Sequence, residues 1–384
     1  MDLSSMLDRE DFFGLLSSTV ESYFREAEQT DVKLTRQKKG ANLVIKPRLS
    51  ALYPPKISKK AQTFFYSEWN VRGNRLKNLA VKAYVFAMMH TGRLFSSYRF
   101  RLTPAGIAGR DLVVAPNNRS IRFFDYRTGI VGCRIKDGFS DKFFNNQLQF
   151  RLEHHYDFLL PLERWGEKWF TEPIMKGHPL ARVTDEALYR KGIADAIAAI
   201  KVLADDTLRT VDARDYLRSL IVRITALSAE ARENKKIKTA DDTLRLLNIY
   251  RNIEELLPAE IPVVMSHGDL QTGNIWVTPD GKTILYDWET AGERSVWYDS
   301  AVLAYALRRP GQWRQFLLSR TEDARRVSGE ADSVPSAVVK YTVMLEDILF
   351  RMEDMMELPQ DWGGDIYDNY LFDLKNAVTE VGIA

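Results

Sequence analysis

An Asp, an Asn and a second Asp stand at a spacing that phosphoryl transfer can use. They lie in Ser266-His267-Gly268-Asp269-Leu270-Gln271-Thr272-Gly273-Asn274 and in Asp287-Trp288-Glu289, which begins thirteen residues after Asn274. Transfer of a phosphoryl group from ATP needs one carboxylate to orient the acceptor hydroxyl and take its proton. It also needs an oxygen-rich pair to hold Mg2+ against the phosphates. Asp269 suits the first task, and Asn274 with Asp287 suits the second.

The flanking residues predict how these groups are positioned. Pro262-Val263-Val264-Met265 is an apolar run leading into the segment, and Asn274-Ile275-Trp276-Val277 leads out of it. Thr278 to Lys282 reads as a turn carrying the Asp-Gly hairpin signal, and Thr283-Ile284-Leu285-Tyr286 as the returning strand. A hairpin of this kind puts Asn274 at the start of one strand and Asp287 at the end of the other, side by side, where they can share a cation.

The segment resembles the catalytic loop and metal-binding segment of the aminoglycoside phosphotransferase and choline kinase family, the small-molecule branch of the protein-kinase-like fold. The family pattern H-G-D-x-x-x-x-N followed by D-x-[DE] is met at His267, Gly268, Asp269, Asn274, Asp287 and Glu289. The resemblance is strong over residues 262 to 300, and the chain from about residue 109 to 384 can be laid on the fold. It implies ATP as donor, Asp269 as catalytic base, and Asn274 and Asp287 as Mg2+ ligands. It also implies an α+β, two-lobed architecture, with a small β-rich N-lobe and a larger helical C-lobe. His267 falls in the catalytic loop with Asp269, where it is expected to organise the loop through backbone hydrogen bonds. Asp299 matches a family Asp expected to anchor that loop.

The whole chain is compatible with this. Its 384 residues suit two lobes, and 45% apolar with 28% charged residues is ordinary for a globular protein. A single cysteine, Cys133, excludes an internal disulfide and a cysteine-based zinc site, and fits a reducing cytosol. The acidic start, Met1 to Glu10, does not read as a signal peptide, and no eighteen-residue apolar run exists. A cytoplasmic protein is expected, with peripheral attachment to the inner face of the membrane as an option. Net charge is +2, but Asp31 to Thr103 holds 16 Lys and Arg against Asp31 and Glu68, so that segment is +14 and the remainder −12. Such asymmetry predicts a basic face that meets an anionic membrane surface or glycan, or acidic parts of the same molecule. No strong nucleic-acid signal accompanies it.

Three regions are predicted: a basic, mostly helical N-terminal extension over 1–108, a kinase-like N-lobe over 109–176, and a helical C-lobe over 177–384 that carries the catalytic loop and acceptor site. Within the extension, Phe12 to Ala27 and Arg75 to Leu94 read as helices and Lys38 to Lys60 as loop. In the N-lobe, strands are expected from Asp111, over Ser120 to Tyr126 and over Ile130 to Lys136. The turn Asn117-Asn118-Arg119 takes the place of a glycine-rich loop, so backbone amides with Asn118 or Ser120 would cover the phosphates. The third strand offers Lys136 first and Arg134 second as the phosphate-binding cation. The following helix, Asp141 to His154, holds Asn145, Asn146 and Gln147 where a partner Glu is expected, and Glu153 comes late. Thr171 to Gly177 reads as the hinge, with backbone groups near Glu172 and Ile174 facing adenine.

The acceptor is read from two features. Leu345 to Glu380 holds ten acidic residues against Arg351 and Lys375, with Trp362, Tyr367 and Tyr370 among them. In the family the C-terminal helices form the acceptor pocket, and such a composition suits amine-bearing acceptors of the aminoglycoside or choline type. The basic region 31–103 points instead to a sugar or cell-envelope glycan precursor, which is the preferred acceptor. A nucleotide-binding pseudokinase or scaffold is the alternative of a different class, motivated by the missing glycine loop and helix Glu.

Overall fold

The computed structural model describes residues 10–46, 48–68, 75–109, 111–326, 334–358 and 364–381. They fall into two compact units, residues 1–189 with 276–286 and residues 190–275 with 287–384.

The first unit is built on a nine-stranded antiparallel sheet. Its strands are β1 (Lys33–Arg36), β2 (Leu43–Lys46), β3 (Leu49–Tyr53), β4 (Tyr98–Thr103), β5 (Leu112–Pro116), β6 (Ser120–Asp125), β7 (Ile130–Ile135), β8 (Arg164–Trp165) and β9 (Trp169–Pro173), in the spatial order β1-β4-β2-β3-β5-β6-β7-β9-β8. Residues 1–108 are therefore no separate, mostly helical extension. They supply four strands, and β3 joins β5 at Leu52 opposite Val114. The stretch Lys38 to Lys60, which reads as loop from its charge and prolines, holds β2 and β3. Leu43, Val44, Ile45, Leu49, Leu52 and Tyr53 there are all buried, and their burial overrides the local turn signals.

Both faces of the sheet are covered. On one lies helix α1 (Phe12–Ala27), N-capped by Asp11, which accepts from the Gly14 N–H at 3.2 Å. Its Phe12, Leu16, Val20, Tyr23 and Phe24 form one core with Phe100, Ile121 and Phe123. The Tyr23 ring stacks on Phe123 at 4.0 Å between centroids. Helices α2 (Lys59–Glu68) and α3 (Arg75–His90) bury Phe65, Val85 and Met89 against Tyr53 and Val113. Helix α4 (Lys142–Glu153) sets Phe144 against Cys133, Ile135 and Phe170. Side chains along β7 thus alternate, with Cys133 and Ile135 toward α4 and Gly132 and Arg134 toward α1.

A small sheet in the order β10 (His178–Pro179), β13 (Ile275–Val277), β14 (Thr283–Leu285) contains the expected hairpin. Its turn is closed by the Thr278 N–H donating to the Lys282 carbonyl at 2.9 Å. In the second unit β11 (Arg209–Asp212), β12 (Glu260–Ser266) and β15 (Gly292–Ser295) form a sheet in that order. Around it stand α5 (Glu186–Thr207, which starts in the first unit), α6 (Ala213–Glu233), α7 (Ala240–Leu247), α8 (Tyr250–Ile253), α9 (Tyr298–Ala304), α10 (Trp313–Leu318), α11 (Ser336–Met356) and α12 (Gly364–Val381). The helical stretch that follows Thr239 is broken into α7 and α8. Its start is held from α12 by Asp368, which accepts from the Thr239 N–H at 3.2 Å.

Gly132 shows how tightly α1 is seated, because a Cβ there would lie 2.0 Å from the Tyr23 hydroxyl oxygen. Gly132→Ala is expected to destabilise the protein by about 1–3 kcal/mol. The loss, measured by chemical unfolding, should be smaller when Gly132→Ala is made in a Tyr23→Ala background, where the clashing ring is absent.

Candidate active site

The loop His267–Asn274 leaves β12 where Ser266 pairs with Gly292 of β15. Asp299, in the first turn of α9, accepts from the His267 N–H at 2.6 Å and the Gly268 N–H at 3.0 Å. One carboxylate thus fixes two successive amides. Gly268 has φ +83°, and a Cβ there would meet the Thr290 carbonyl oxygen at 2.3 Å, so the turn admits only glycine. His267 is fully buried, with its ring 4.4 Å from that of Trp288, and its Nδ1 accepts from the Asp269 N–H at 3.3 Å. Grouped with Asp269 by the motif, it is packed beneath the loop and bonded to its backbone.

Asp269 is held by both oxygens. Oδ1 accepts from Arg308 Nε at 2.6 Å, while Oδ2 accepts from Asn274 Nδ2 at 3.0 Å and Gln271 Nε2 at 2.9 Å. Arg308 also donates to the Gly268 carbonyl at 2.6 Å and to the Tyr298 hydroxyl at 2.9 Å, and it pairs with Asp347 of α11. Arg308 is buried, yet this cluster of acceptors outweighs desolvation and keeps its guanidinium charged. Sequence reading missed Arg308, which lies in no motif; the pair Arg308-Arg309 after an apolar helix was the available signal.

Asn274 spends its Nδ2 protons on Asp269, on the carboxylate and on the backbone oxygen at 2.9 Å. Its Oδ1 is then the atom that can face a cation. Asn274 immediately precedes β13, and Asp287 follows β14 by two residues. Asp287 adopts φ 70° and ψ 61°, a left-handed conformation that costs a non-glycine residue on the order of 1 kcal/mol and concentrates at functional sites. Among the described residues no cluster of three or more His, Cys, Asp or Glu could hold a metal. One carboxylate and one amide oxygen instead fit Mg2+, which keeps waters or phosphate oxygens in its remaining positions.

In the first unit the expected phosphate-binding cations are committed elsewhere. Lys136 is buried with its Nζ 2.6 Å from Glu10, and Arg134 pairs with Glu26 and with Asp137 at 3.2 Å. Burial pulls the Lys136 pKa below its ordinary value, which Glu10 only partly offsets. Both side chains lie on the α1 face. On the α4 face the corresponding β7 position is Cys133, and directly opposite it on β6 stands Arg122. Arg122 donates to the Tyr286 hydroxyl, with its guanidinium 4.6 Å from that ring. Tyr286, the residue before Asp287, donates to Glu172 at 2.7 Å, and Glu172 pairs with Arg151 of α4 at 2.8 Å. The helix-to-sheet ion pair expected here exists with its signs exchanged. Glu153 accepts from Gln149 on the exposed side of α4.

The remaining first-unit candidates are placed as follows. Glu172 is buried in the network just described. The Ile174 N–H donates to Gly129 at 2.8 Å and belongs to the sheet, so it does not present itself to adenine. Asn118 and Ser120 flank the β5–β6 turn, which is closed by the Asn117 N–H donating to the Ser120 carbonyl at 2.8 Å. Asn118 Oδ1 is enclosed and accepts no hydrogen bond.

Residues 160–329 match the phosphotransferase enzyme family. The match spans 170 of the 384 residues and includes the loop His267–Asn274 and Asp287. In sequence, no curated protein matches the chain. Among solved structures it is similar to a thermostable mutant of aminoglycoside phosphotransferase APH(4)-Ia in its apo form, at TM-score 0.50 and 15% identity over 71% of this chain and 94% of that one. A Plasmodium vivax ethanolamine kinase gives TM-score 0.47 and 14% identity over 85% and 97% of the two chains. Choline kinase from Cryptosporidium parvum gives 0.42 and 12% over 73% and 94%. The fold is thus of the protein-kinase-like, α+β type, with one sheet-rich and one helix-rich unit.

Many carboxylates of the acidic C-terminal helices are bonded within the second unit. Glu346 accepts from Ser295 Oγ at 2.7 Å and Tyr216 at 2.6 Å, and Asp347 accepts from Tyr298 at 2.9 Å. Burial alone would raise Asp347, but Arg308 and Arg351 hold its pKa below the ordinary value. Glu353 pairs with Arg223, Asp365 with Lys238 and Glu380 with Arg314. Tyr367 is buried and bonded to Thr243, and Tyr370 receives Arg351 over its ring at 4.8 Å. Asp361 and Trp362 lie outside the described residues.

Two outcomes follow from this geometry. Gly268→Ala should reduce turnover by at least about a hundredfold by displacing Asp269, as measured by steady-state kinetics on a folded variant. Glu346 is pushed from 4.5 up to about 7, by burial first. A carboxyl raised on folding favours the folded state fully below its unfolded pKa, and the contribution is lost as pH rises through the folded one. Unfolding free energy should therefore lose roughly 1–3 kcal/mol between about pH 4.5 and 7, and Glu346→Gln should remove that component.

Proposed function

We propose that this protein is an ATP- and Mg2+-dependent phosphotransferase that phosphorylates a hydroxyl of a small molecule, with a sugar or cell-envelope glycan precursor as the acceptor class. The observation that carries the reaction type is the locked Asp269 carboxylate, with Asn274 bonded to it. In this reading the acceptor oxygen attacks the γ-phosphorus, its proton passes to Asp269, and the bond from the γ-phosphorus to the bridging oxygen breaks, releasing ADP. Asn274 and Asp287 would hold Mg2+, which neutralises developing phosphate charge when bound. In the first unit, Arg122 would serve as the nucleotide-phosphate cation in place of Lys136 and Arg134. A pseudokinase would have no use for the base, the amide and the carboxylate together.

The acceptor class is supported by charge. The C-terminal carboxylates that would attract an amine are largely paired within the second unit, while the basic region 31–103 favours an anionic or membrane-presented acceptor. On this reading the enzyme works peripherally at the inner face of a membrane. Aminoglycosides and amino alcohols such as choline and ethanolamine are the competing acceptors, suggested by the similar structures.

Asp269→Asn should lower turnover by about a thousandfold or more while nucleotide binding persists. Asp287→Ala should abolish the Mg2+-dependent part of nucleotide stabilisation in a thermal shift assay. Arg122→Ala should raise the KM for ATP with a smaller effect on the acceptor KM, whereas Lys136→Ala should act mainly on stability. A screen for ADP release across sugars, glycan precursors, amino alcohols and aminoglycosides decides the acceptor. Response to amines alone would reject the glycan reading, and no thermal response to any nucleotide would reject the enzyme.

A further inference from the structure

We infer that α3 and the turn that follows it form the surface by which this protein docks on an anionic membrane, deepening the membrane-side reading above. Helix α3 has two apolar faces. One, with Val85 and Met89, is buried against α2 and the sheet. The other is open: Leu76 is 83% exposed, Leu79 67% and Phe86 54%, and in the adjoining turn Leu94 is 65% and Phe95 68% exposed. Spacings of three and seven along the helix align the first three on one stripe, which Ala83 continues. Fourteen large apolar residues are exposed among the described residues, and these five fall within twenty positions of one another, so the apolar surface is concentrated here.

The turn is built to present its side chains. Lys46 is buried at the end of β2, and its Nζ donates to Thr91 Oγ1 at 2.8 Å and to the Leu94 carbonyl. Phe95 is held at φ 56°, a left-handed conformation that a bulky residue adopts only under constraint. The chain thus accepts strain and buries an ammonium while leaving two apolar side chains in water.

Charge identifies the occupant. Lys56, Lys59, Lys60, Lys77 and Lys82 are exposed on or beside α2 and α3, and between Lys56 and Thr103 the sequence contains one acidic residue, Glu68. An apolar stripe bordered by lysines is the pattern of a helix lying in the interface of a bilayer with anionic headgroups. Two copies of this chain pairing through the same stripe would bring like charges together.

The test is co-sedimentation of the full-length protein with vesicles of phosphatidylcholine alone and of phosphatidylcholine with phosphatidylglycerol. Binding should favour the anionic vesicles and weaken with salt. Leu79→Ser/Phe86→Ser and Leu94→Ser/Phe95→Ser should each weaken it by about tenfold or more. Lys59→Glu/Lys82→Glu should weaken it by about tenfold and flatten its salt dependence. All six substituted positions are exposed, so ADP release with a soluble acceptor should stay unchanged. The inference is overturned if the wild-type protein ignores anionic vesicles, or if the serine variants bind as well as wild type. A wild-type dimer that Leu79→Ser/Phe86→Ser converts to monomer in light scattering would also overturn it. Vesicle binding that follows these expectations without turnover on any acceptor would reject the kinase reading and leave the docking surface standing.

Discussion

The buried guanidinium of Arg308 is the interaction on which the catalytic loop depends. It holds Asp269 at 2.6 Å, the Gly268 carbonyl at 2.6 Å and the Tyr298 hydroxyl at 2.9 Å, and it reaches Asp347 on α11. Burying such a charge is costly unless its donors are satisfied by well-placed acceptors, and the planar fork of arginine lets one group meet several at fixed angles. Asp299 acts from the other side by accepting the two amides that precede Asp269. Between them the Asp269 carboxylate is held in one orientation, so little reorganisation would be left for a reaction in which it takes part. The same network accounts for two buried carboxylates on α11. Asp347 balances Arg308, and Glu346 ties the helix to Ser295 and Tyr216.

In the first unit the decisive constraint is that α1 covers one face of the sheet. Its approach is so close that Gly132 has no room for a side chain beside Tyr23. Residues on that face of β7 and just beyond it are consumed by α1 and by a residue two positions before it, Arg134 by Glu26 and Lys136 by Glu10. The opposite face carries the continuous chain Arg122, Tyr286, Glu172, Arg151, which links β6, β9 and α4 to the residue before Asp287. The network gives a physical reason why no Glu of α4 faces the sheet: the acidic partner sits on β9 and the basic one on the helix.

The C-terminal helices illustrate what charge composition leaves open. Ten acidic residues among the last forty suggest a cation site, yet most of those described have a partner within their own unit. Counting charges cannot distinguish carboxylates that hold helices together from carboxylates that wait for a ligand, because the distinction depends on what each faces.

The sequence by itself determined the loop His267 to Asn274, the Asp287 that follows, the hairpin joining them and the helical character of the second unit. These are local properties, set by turn chemistry, residue type and short-range periodicity. Period-two alternation in Ser120 to Asp125 even placed Arg122 opposite in facing to Ile121 and Phe123, although nothing local marked it as important. Tertiary structure decided the rest. It turned the basic residues 31–103 into four strands and two helices of the same unit, set Arg134 and Lys136 against α1, and brought Arg308 to Asp269 across thirty-nine residues. Each of these depends on which segments meet at long range, and the energy that selects them is burial of whole faces against one another, which no single stretch of sequence expresses.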